Sequence, residues 1–208
     1  MPRSRTAAPP PEPRTRPARG RPRSEQAHRA ILAAALELLR DEGYAALTID
    51  AIAKRAGVAR TTIYRWWPSA GSIAVDVLLE LGATVAPPPP SGGDPLRAIR
   101  LEMRRIAAIS TELPGRLLSA ILGDAQHDPV IRKALLERLI YPRRDATARV
   151  VREAQALGLI RDDVSPAVVT DLFYGPIFYR MLMGHDAATE RFATQTFERA
   201  LAGLTPEK

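Results

Sequence analysis

The side chains best suited to chemistry in this sequence cluster in a short polar segment near residue 60. Arg60, Thr61, Thr62 and Tyr64 all carry hydrogen-bonding groups, and helical spacing places them outward while Ile63 points inward. An arginine can donate two parallel hydrogen bonds to guanine, and hydroxyl groups suit base edges or phosphates. This combination indicates recognition of double-stranded DNA rather than catalysis.

Two short helices joined by a tight turn are predicted to position this segment. Thr48 is suited to cap the first helix, and Gly57 falls where the chain leaves that helix in a left-handed conformation. Ala53 is small where the two helices approach, and Ile63 fills their crossing point. The alternative is an ordinary helical hairpin with a solvated polar face. Such a hairpin would not require a small residue, a glycine and a β-branched residue at these particular positions. The pattern therefore predicts a helix-turn-helix.

Three nearby segments resemble the DNA-binding domain of the TetR family of bacterial repressors. They read Tyr-Ala-Ala-Leu-Thr-Ile at 44–49, Ile-Ala-Lys-Arg-Ala-Gly-Val at 52–58 and Thr-Thr-Ile-Tyr-Arg-Trp-Trp-Pro-Ser at 61–69. The resemblance extends over roughly residues 28–75. It implies an all-helical homodimer with three DNA-binding helices, followed by a larger domain that binds a ligand and dimerises.

The resemblance also suggests roles for residues outside the polar segment. Thr48 lies at a helix N-terminus, where its hydroxyl and the free amides suit a phosphate. Tyr64 and Trp67 match family positions that touch the sugar-phosphate backbone, while Trp66 is expected to be partly core. One departure is that Ala70 and Gly71 follow Ser69, where the family usually has a phosphate-binding lysine.

The N-terminal 23 residues form a basic arm that is expected to be disordered. They contain seven arginines, seven prolines and one acid, for a local charge of +6 out of a total of +7. Too little apolar surface is present to offset the entropy of ordering. Arg19 and Arg21 flank a glycine in an Arg-Gly-Arg-Pro sequence similar to an AT-hook, which suits a narrow minor groove. A basic arm that attracts phosphates without sequence preference is an equally good interpretation.

Composition argues against several other classes of protein. The chain has no cysteine, so disulfides and thiolate chemistry are excluded. His28, His127 and His185 are too scattered to form a metal site, and no phosphate-binding loop or nucleophile motif is present. No cofactor or metal is therefore expected, and the protein is not expected to be an enzyme. The absence of a long apolar run predicts no membrane span and a cytoplasmic location.

The whole sequence predicts an all-α fold with two domains. Four consecutive prolines followed by Ser-Gly-Gly place a linker at 86–93, between a DNA-binding domain at 24–85 and a C-terminal domain at 94–208. Ser24 could cap the first helix, and Asp94, Asp128 and Ser165 each precede a proline at a helix start. The C-terminal helices are predicted near 95–110, 115–125, 129–140, 142–157, 166–183 and 187–203.

The last two predicted helices are the expected dimer interface. They are rich in aromatic residues, and the resemblance implies a four-helix bundle made of these two helices from each subunit. A proline follows Gly175 inside the first of them, so a kink is expected there. The alternative is that this kinked helix is buried within its own subunit, because apolar stripes are often ordinary core. The candidate interface residues are Phe173, Pro176, Ile177, Arg180, Phe192, Thr196 and Phe197.

The resemblance further implies a pocket for a small-molecule effector among the C-terminal helices. Apolar stripes there supply candidate lining residues, although each of them could equally be ordinary core. Because few charged residues fall on those stripes, a mostly hydrophobic or aromatic effector is favoured over a highly charged one. The candidate residues are Met103, Ile106, Leu117, Ile121, Tyr174 and Phe178.

These observations together favour a sequence-specific transcriptional regulator. The expected protein is a repressor that binds a palindromic operator as a homodimer and is released by its effector. One alternative is an architectural protein that binds A·T-rich DNA through its basic arm. Another is a small-molecule binding protein whose DNA-binding head has lost its role, which the retention of Thr48, Thr62 and Tyr64 argues against.

Overall fold

Every regular element that the structure describes is helical. The structure, a computed structural model, describes residues 21–85 and 88–206, with the backbone alone at 21–24 and 83–85. The all-α prediction is therefore confirmed for these ranges. The elements are α1 (Arg21–Asp41), a 3₁₀ turn (Tyr44–Ala46), α2 (Ile49–Ala56), α3 (Arg60–Tyr64), α4 (Ala70–Val85), α5 (Pro95–Ile109), α6 (Leu113–Asp124), α7 (Pro129–Leu135), a π-helical turn (Leu136–Ile140), α8 (Tyr141–Ala156), α9 (Pro166–Met183) and α10 (Glu190–Leu204).

The helix-turn-helix forms as its sequence predicts. The Thr48 hydroxyl oxygen accepts a hydrogen bond from the Ala51 amide at 3.1 Å and so caps α2. Gly57 ends α2 in the left-handed region, with φ 65° and ψ 32°, where a side chain would be strained. Ile63 is fully buried and Ala53 nearly so, which lets α2 and α3 cross closely. The cap, the left-handed glycine and the buried residues at the crossing thus set the angle between α2 and α3.

Helix α1 begins earlier than the sequence suggests. Its first residue is Arg21, so Ser24 lies inside the helix instead of capping it. Pro22 is tolerated there because amides of the first helical turn have no partner to lose. Arg19 lies outside the described residues, and of Arg21 only the backbone is described.

Helices α7 and α8 form one continuous helical rod, whereas the sequence predicted a break between residues 140 and 142. The π-helical turn at Leu136–Ile140 joins them directly. Pro142 follows this turn and has no amide hydrogen, and its ring would clash with the carbonyl four residues earlier in a regular α-helix. Widening the turn accommodates the proline without ending the helix.

The buried side chains form two clusters, and the linker does not separate them. The head-side core joins α1–α4 to the inner faces of α6 and α7 and contains Ile31, Ile52, Ile63, Leu117, Ile121 and Ile131. The body-side core lies among α5, α8, α9 and α10 and contains Ile99, Met103, Val150, Phe173, Ile177 and Phe197. The last part of the linker packs back onto α8, where the Gly92 amide donates to Glu153 at 3.3 Å.

Polar contacts also join the DNA-binding head to the rest of the molecule. The Tyr44 hydroxyl donates to Asp124 at the end of α6, at 2.7 Å, and burial together with this carboxylate raises the pKa of Tyr44. Asp76 on α4 accepts a hydrogen bond from the Trp67 indole at 2.8 Å and forms an ion pair with Arg138 of the π-helical turn. Asp76 therefore connects the segment after α3 to the α7–α8 rod.

Gly71 allows α4 and α7 to approach closely. A Cβ atom at this position would lie 2.3 Å from the Ile131 Cδ1 atom. Ile131 is nearly fully buried in the head-side core. The glycine after Ala70, which the sequence showed only as a departure from the family pattern, therefore has a packing role.

Candidate nucleic-acid interface and internal cavity

Four polar residues of α3 form a continuous reading surface, defined as Arg60, Thr61, Thr62 and Tyr64. Arg60 has a side chain that is 65 % exposed, and Tyr64 is 57 % exposed. Thr61 is exposed and Thr62 is half-buried. With Ile63 holding α3 against α2 from the inside, these hydroxyl and guanidinium groups project as a set. The hydrogen-bonding groups of this surface have the chemistry that base edges and phosphates in a DNA major groove require.

Arg60 is not an isolated cation in this structure. Its guanidinium forms an ion pair with Asp50 in the first turn of α2. Both side chains are well exposed, so the pair contributes little to stability. A guanine or phosphate could take the place of Asp50 when DNA is present.

Thr48 caps the start of α2 and is placed where it could also contact a phosphate. Its oxygen accepts the capping hydrogen bond, and its hydroxyl hydrogen can still donate to a phosphate. The residue is exposed. It lies where the unpaired amides and the helix dipole favour an anion.

The burial of the two neighbouring tryptophans is the reverse of what the sequence suggested. Trp67 is only 4 % exposed, and its indole N–H is used by Asp76, so it belongs to the head-side core and not to a DNA contact. Trp66 is 44 % exposed. The His28 ring packs against both indoles, with centroids 5.0 Å from Trp66 and 4.6 Å from Trp67. Trp66 and Trp67 are adjacent and of the same type, yet one side chain lies at the surface and the other in the core, and composition alone does not reveal this difference.

Two adjoining cavities lie among α5, α6, the π-helical turn, α8 and α9, and the smaller of them also borders α4. The larger has a volume of about 310 Å³ and the smaller about 70 Å³. Ile106, Ile140, Arg143 and Phe178 line both, so one elongated molecule could occupy the two together. Leu78 and Gly82 of α4 also line the smaller cavity, which brings it against the helix that follows the DNA-binding head.

Half of the predicted cavity residues are found at the cavities. Ile106, Tyr174 and Phe178 line them. Met103, Leu117 and Ile121 instead are core residues with at most 2 % exposure. Leu117 and Ile121 lie on the face of α6 that packs into the head-side core, and Met103 packs into the body-side core. The apolar stripe of a helix shows which side is buried but does not show where the packing leaves a void.

A buried charged group at the larger cavity was missed from the sequence. Glu102 is 2 % exposed, accepts a hydrogen bond from the Tyr174 hydroxyl and forms an ion pair with Arg143 at 3.2 Å. Burial raises the pKa of Glu102 to about 6, although Tyr174 and Arg143 oppose the shift. Burial likewise raises the pKa of Tyr174. Glu102 follows Ile99 by three residues and precedes Ile106 by four, so helical spacing already placed it on the apolar stripe.

The proposed dimer residues divide between the core and the surface. Phe173, Ile177 and Phe197 are buried in the body-side core, and the rings of Phe173 and Phe197 stack with centroids 5.1 Å apart. They are therefore not available to a partner subunit, and the sequence assignment was wrong for these three. Pro176, Thr196, Arg180 and Phe192 are half-buried, and the Arg180 guanidinium lies 3.6 Å from the centroid of the Phe192 ring. The apolar side chains of α9 that remain exposed are Val168, Leu172, Tyr179, Leu182 and Met183.

Two other features bear on the class of protein. Within the described ranges, no group of three or more histidine, aspartate or glutamate side chains could hold a metal ion. None of the helices described combines the length and the apolar character that a bilayer span requires.

Comparison with known proteins identifies both halves of the chain. A family model described as bacterial regulatory proteins of the tetR family matches residues 31–72. A second, described as the tetracyclin repressor-like C-terminal domain, matches residues 89–200. A relative from Bacillus subtilis strain 168, the helix-turn-helix-type transcriptional regulator YdeS, is 33 % identical over 186 residues, which cover 89 % of this chain and 93 % of that protein.

Solved structures agree with the sequence relatives. The TetR family transcription regulator SCO0332 superposes with a TM-score of 0.71 and 33 % identity, over 87 % of this chain and all of that one. FadR of Thermus thermophilus, a TetR family repressor solved with lauroyl-CoA, gives a TM-score of 0.66 and 25 % identity, over 86 % of this chain and 96 % of that one. These relatives are regulators and not enzymes. The chain belongs to the TetR family of helix-turn-helix transcriptional regulators.

Proposed function

We propose that this protein is a repressor that binds a palindromic operator as a homodimer and leaves it when a small, mostly apolar effector binds. The observation that carries the proposal is the exposed reading surface on α3, held in place by the buried Ile63. Family membership supplies the regulatory role, and the two adjoining cavities, of which the smaller borders α4, supply a place for the effector. A cytoplasmic location is part of the proposal, since the bacterial DNA that it would bind lies there.

The proposed DNA contacts are divided between bases and the backbone. Arg60 is assigned to guanine, and Thr61, Thr62 and Tyr64 share the base and phosphate contacts around it. Thr48 is assigned to a phosphate at the start of α2. Trp66 replaces Trp67 as the tryptophan that could reach the backbone, because it is the exposed one of the two.

The proposed dimer interface is the exposed apolar face of α9 together with the half-buried residues of α10. Val168, Leu172 and Tyr179 lie along that face, and Phe192 and Thr196 lie on the neighbouring helix. A row of large apolar side chains on one helix is typical of a surface that a partner covers. Two-fold symmetry would then present two copies of α3 to half-sites one helical turn of DNA, about 34 Å, or a multiple apart.

Release by an effector is proposed to act through α4. This helix lines the smaller cavity with Leu78 and Gly82, and it carries Asp76, which holds both Trp67 and Arg138. Leu136 and Ile140, on the same π-helical turn as Arg138, line the larger cavity. An effector that favours a shifted position of α4 would therefore change the separation of the two DNA-binding heads of the dimer. The ratio of its affinities for the DNA-binding and the released conformations would set how strongly effector binding weakens operator binding.

Selection from randomised duplex DNA at near-physiological salt tests this proposal. An enriched palindrome is expected, and it would provide the operator for all later measurements. Recovery of A·T-rich DNA without dyad symmetry would contradict the proposal and favour the architectural alternative, in which Arg19 and Arg21 of the basic arm dominate.

The Arg60→Ala variant is expected to bind the selected operator more weakly, by about 5- to 150-fold, because a bidentate arginine–guanine contact contributes about 1–3 kcal/mol of discrimination. Binding to a random duplex should change much less. Fluorescence anisotropy with both duplexes measures the two effects. Asp50→Asn is the matched control, because it also breaks the Arg60–Asp50 ion pair. If both variants weakened operator binding equally, Arg60 would serve only to hold α2 against α3.

A further inference from the structure

The larger cavity is lined by six polar residues, of which four interact with one another, namely Glu102, Arg143, Tyr174 and Thr147. Tyr174 donates a hydrogen bond to Glu102 and interacts with Thr147, and Arg143 pairs with the other oxygen of Glu102. Most of the remaining wall is apolar and is made by Ile106, Leu122, Leu136, Ile140, Phe178 and Leu182. A molecule that fills this cavity would place an apolar body against that wall and a single polar group against Glu102 and Arg143.

The surroundings of Glu102 do not favour a cationic ligand. Its two carboxylate oxygens already face one guanidinium and one hydroxyl. Arg105 on the same helix lies close enough to lower the pKa of Glu102 further. On the side of the linker, Glu102 borders a second cleft that contains Arg97, Arg105 and Asp94. Cations therefore outnumber anions around this carboxylate, and another cation would be repelled.

Arg143 is the side chain best placed to meet a ligand. It borders both cavities, and its side chain is 23 % exposed while that of Glu102 is 2 % exposed. A guanidinium has five N–H donors in a planar fork and can hold two carboxylates at once. The adjacent Arg144 also borders the larger cavity, but it pairs with the exposed Asp171.

We propose that the effector is an amphipathic anion whose carboxylate binds Arg143 while Glu102 takes up a proton from solvent. The proposal rests on the effector cavity of the proposed function and adds the chemistry of the ligand. Only a proton moves, from water to the Glu102 carboxylate. The negative charge of the ligand carboxylate then replaces that of Glu102 beside Arg143. The protonated Glu102 can then donate a hydrogen bond to the ligand.

The protonation properties of Glu102 fit this exchange. Burial raises the pKa of Glu102 to about 6, so the group is mostly ionised at neutral pH but is protonated at small cost. A neighbouring anion raises the pKa of a carboxyl further. Binding should therefore be constant between the pKa of the ligand carboxyl and about pH 6. Above pH 6 it should weaken by up to tenfold per pH unit, until the pKa of Glu102 in the complex is reached.

The first experiment uses the unaltered protein and three ligands with the same eight-carbon chain, namely octanoate, 1-octanol and octylamine. Titration calorimetry at pH 7 in buffers of different ionisation enthalpy gives both the affinity and the number of protons exchanged. Octanoate is expected to bind at least tenfold more tightly than 1-octanol and to take up close to one proton. Tighter binding of octylamine, with release of protons, would overturn the proposal, and so would octanoate binding without proton uptake.

Variants assign the effect to individual residues. Arg143→Gln is expected to remove the preference for octanoate over 1-octanol, and Arg143→Lys to keep part of it. Glu102→Gln should retain octanoate binding but abolish both proton uptake and the pH dependence. Arg104→Gln is the matched control, since that arginine lines neither cavity, pairs with the exposed Glu190 and should leave the preference unchanged. An equal loss in the Arg143 and Arg104 variants would contradict the assignment.

The failure of this proposal can be distinguished from failure of the proposed function. Ligand affinity and proton uptake are measured without DNA, whereas release is measured as dissociation from the selected operator. A protein that binds octanoate with proton uptake but stays on the operator would support the ligand chemistry and contradict release. A protein released from the operator by 1-octanol or octylamine but not by octanoate would support release and contradict the anionic effector.

Discussion

The Trp67→Ala variant is expected to lose about 3–5 kcal/mol of stability, the cost typical of removing a buried tryptophan. Trp67 is 4 % exposed within the head-side core, and its indole N–H is the hydrogen-bond partner of Asp76. The substitution therefore leaves a cavity, and it leaves the half-buried Asp76 carboxylate without one of its donors. Denaturant unfolding followed by circular dichroism measures the loss as a lower midpoint with an unchanged slope.

Trp66→Ala is the matched control for this prediction. Trp66 is 44 % exposed, so its removal should change the free energy of unfolding by less than about 1 kcal/mol while weakening operator binding. If Trp66→Ala instead destabilised the protein as much as Trp67→Ala, the two side chains would share the core and the assignment of Trp66 to the DNA surface would be wrong.

The second large effect is expected for Gly115→Ala, in the first turns of α6. A Cβ atom there would lie 2.1 Å from the carbonyl oxygen of Ser110 and 2.4 Å from its carbonyl carbon. Ser110 cannot move away easily, because it is buried and its hydroxyl donates to the carbonyl oxygens of Ala107 and Ala188. We expect a loss of about 3 kcal/mol, near the upper end for overpacking of a core. Thermal and denaturant unfolding measure this loss.

Gly123→Ala, in the same helix, is the matched control, because the added methyl group there meets no steric obstacle. Apart from the adjacent residues and the backbone of its own helix, no described atom lies within 4 Å of the Cβ that would be added at Gly123. Alanine also favours a helix by up to about 1 kcal/mol over glycine. This variant should be as stable as the original protein or more stable. A similar loss in both variants would show that the flexibility of α6 matters, rather than the close contact at Gly115.

The helix-turn-helix could be predicted in detail because its determinants are local. Thr48, Gly57 and Ile63 each satisfy a requirement set by residues a few positions away, such as a cap, a left-handed turn or a helix crossing. The difference between Trp66 and Trp67 was not local. It depends on Asp76 of α4 and on the packing of His28 from α1, which the sequence around the tryptophans does not contain.

The cavity was predicted less well, for a related physical reason. Helical periodicity identified the buried faces of α5, α6 and α9, and Ile106, Tyr174 and Phe178 do line the cavities. Whether a buried residue borders a void depends on how several helices approach one another, and this is a property of the tertiary structure. Glu102 was also missed, although the sequence carried a signal for it, since an acidic residue within an apolar stripe indicates a buried polar site.

The head-side core has a consequence for the modularity of this regulator. Leu117 and Ile121 of α6 and Ile131 of α7 pack with the DNA-binding head, although they follow the linker in sequence. A fragment that ends at residue 85 would leave the apolar surface of α4 without its cover and is expected to fold poorly. A chimaera that gives this head to another sensor must therefore carry α6 and α7 with it, because the unit of exchange is the packed core and not the stretch of chain before the prolines.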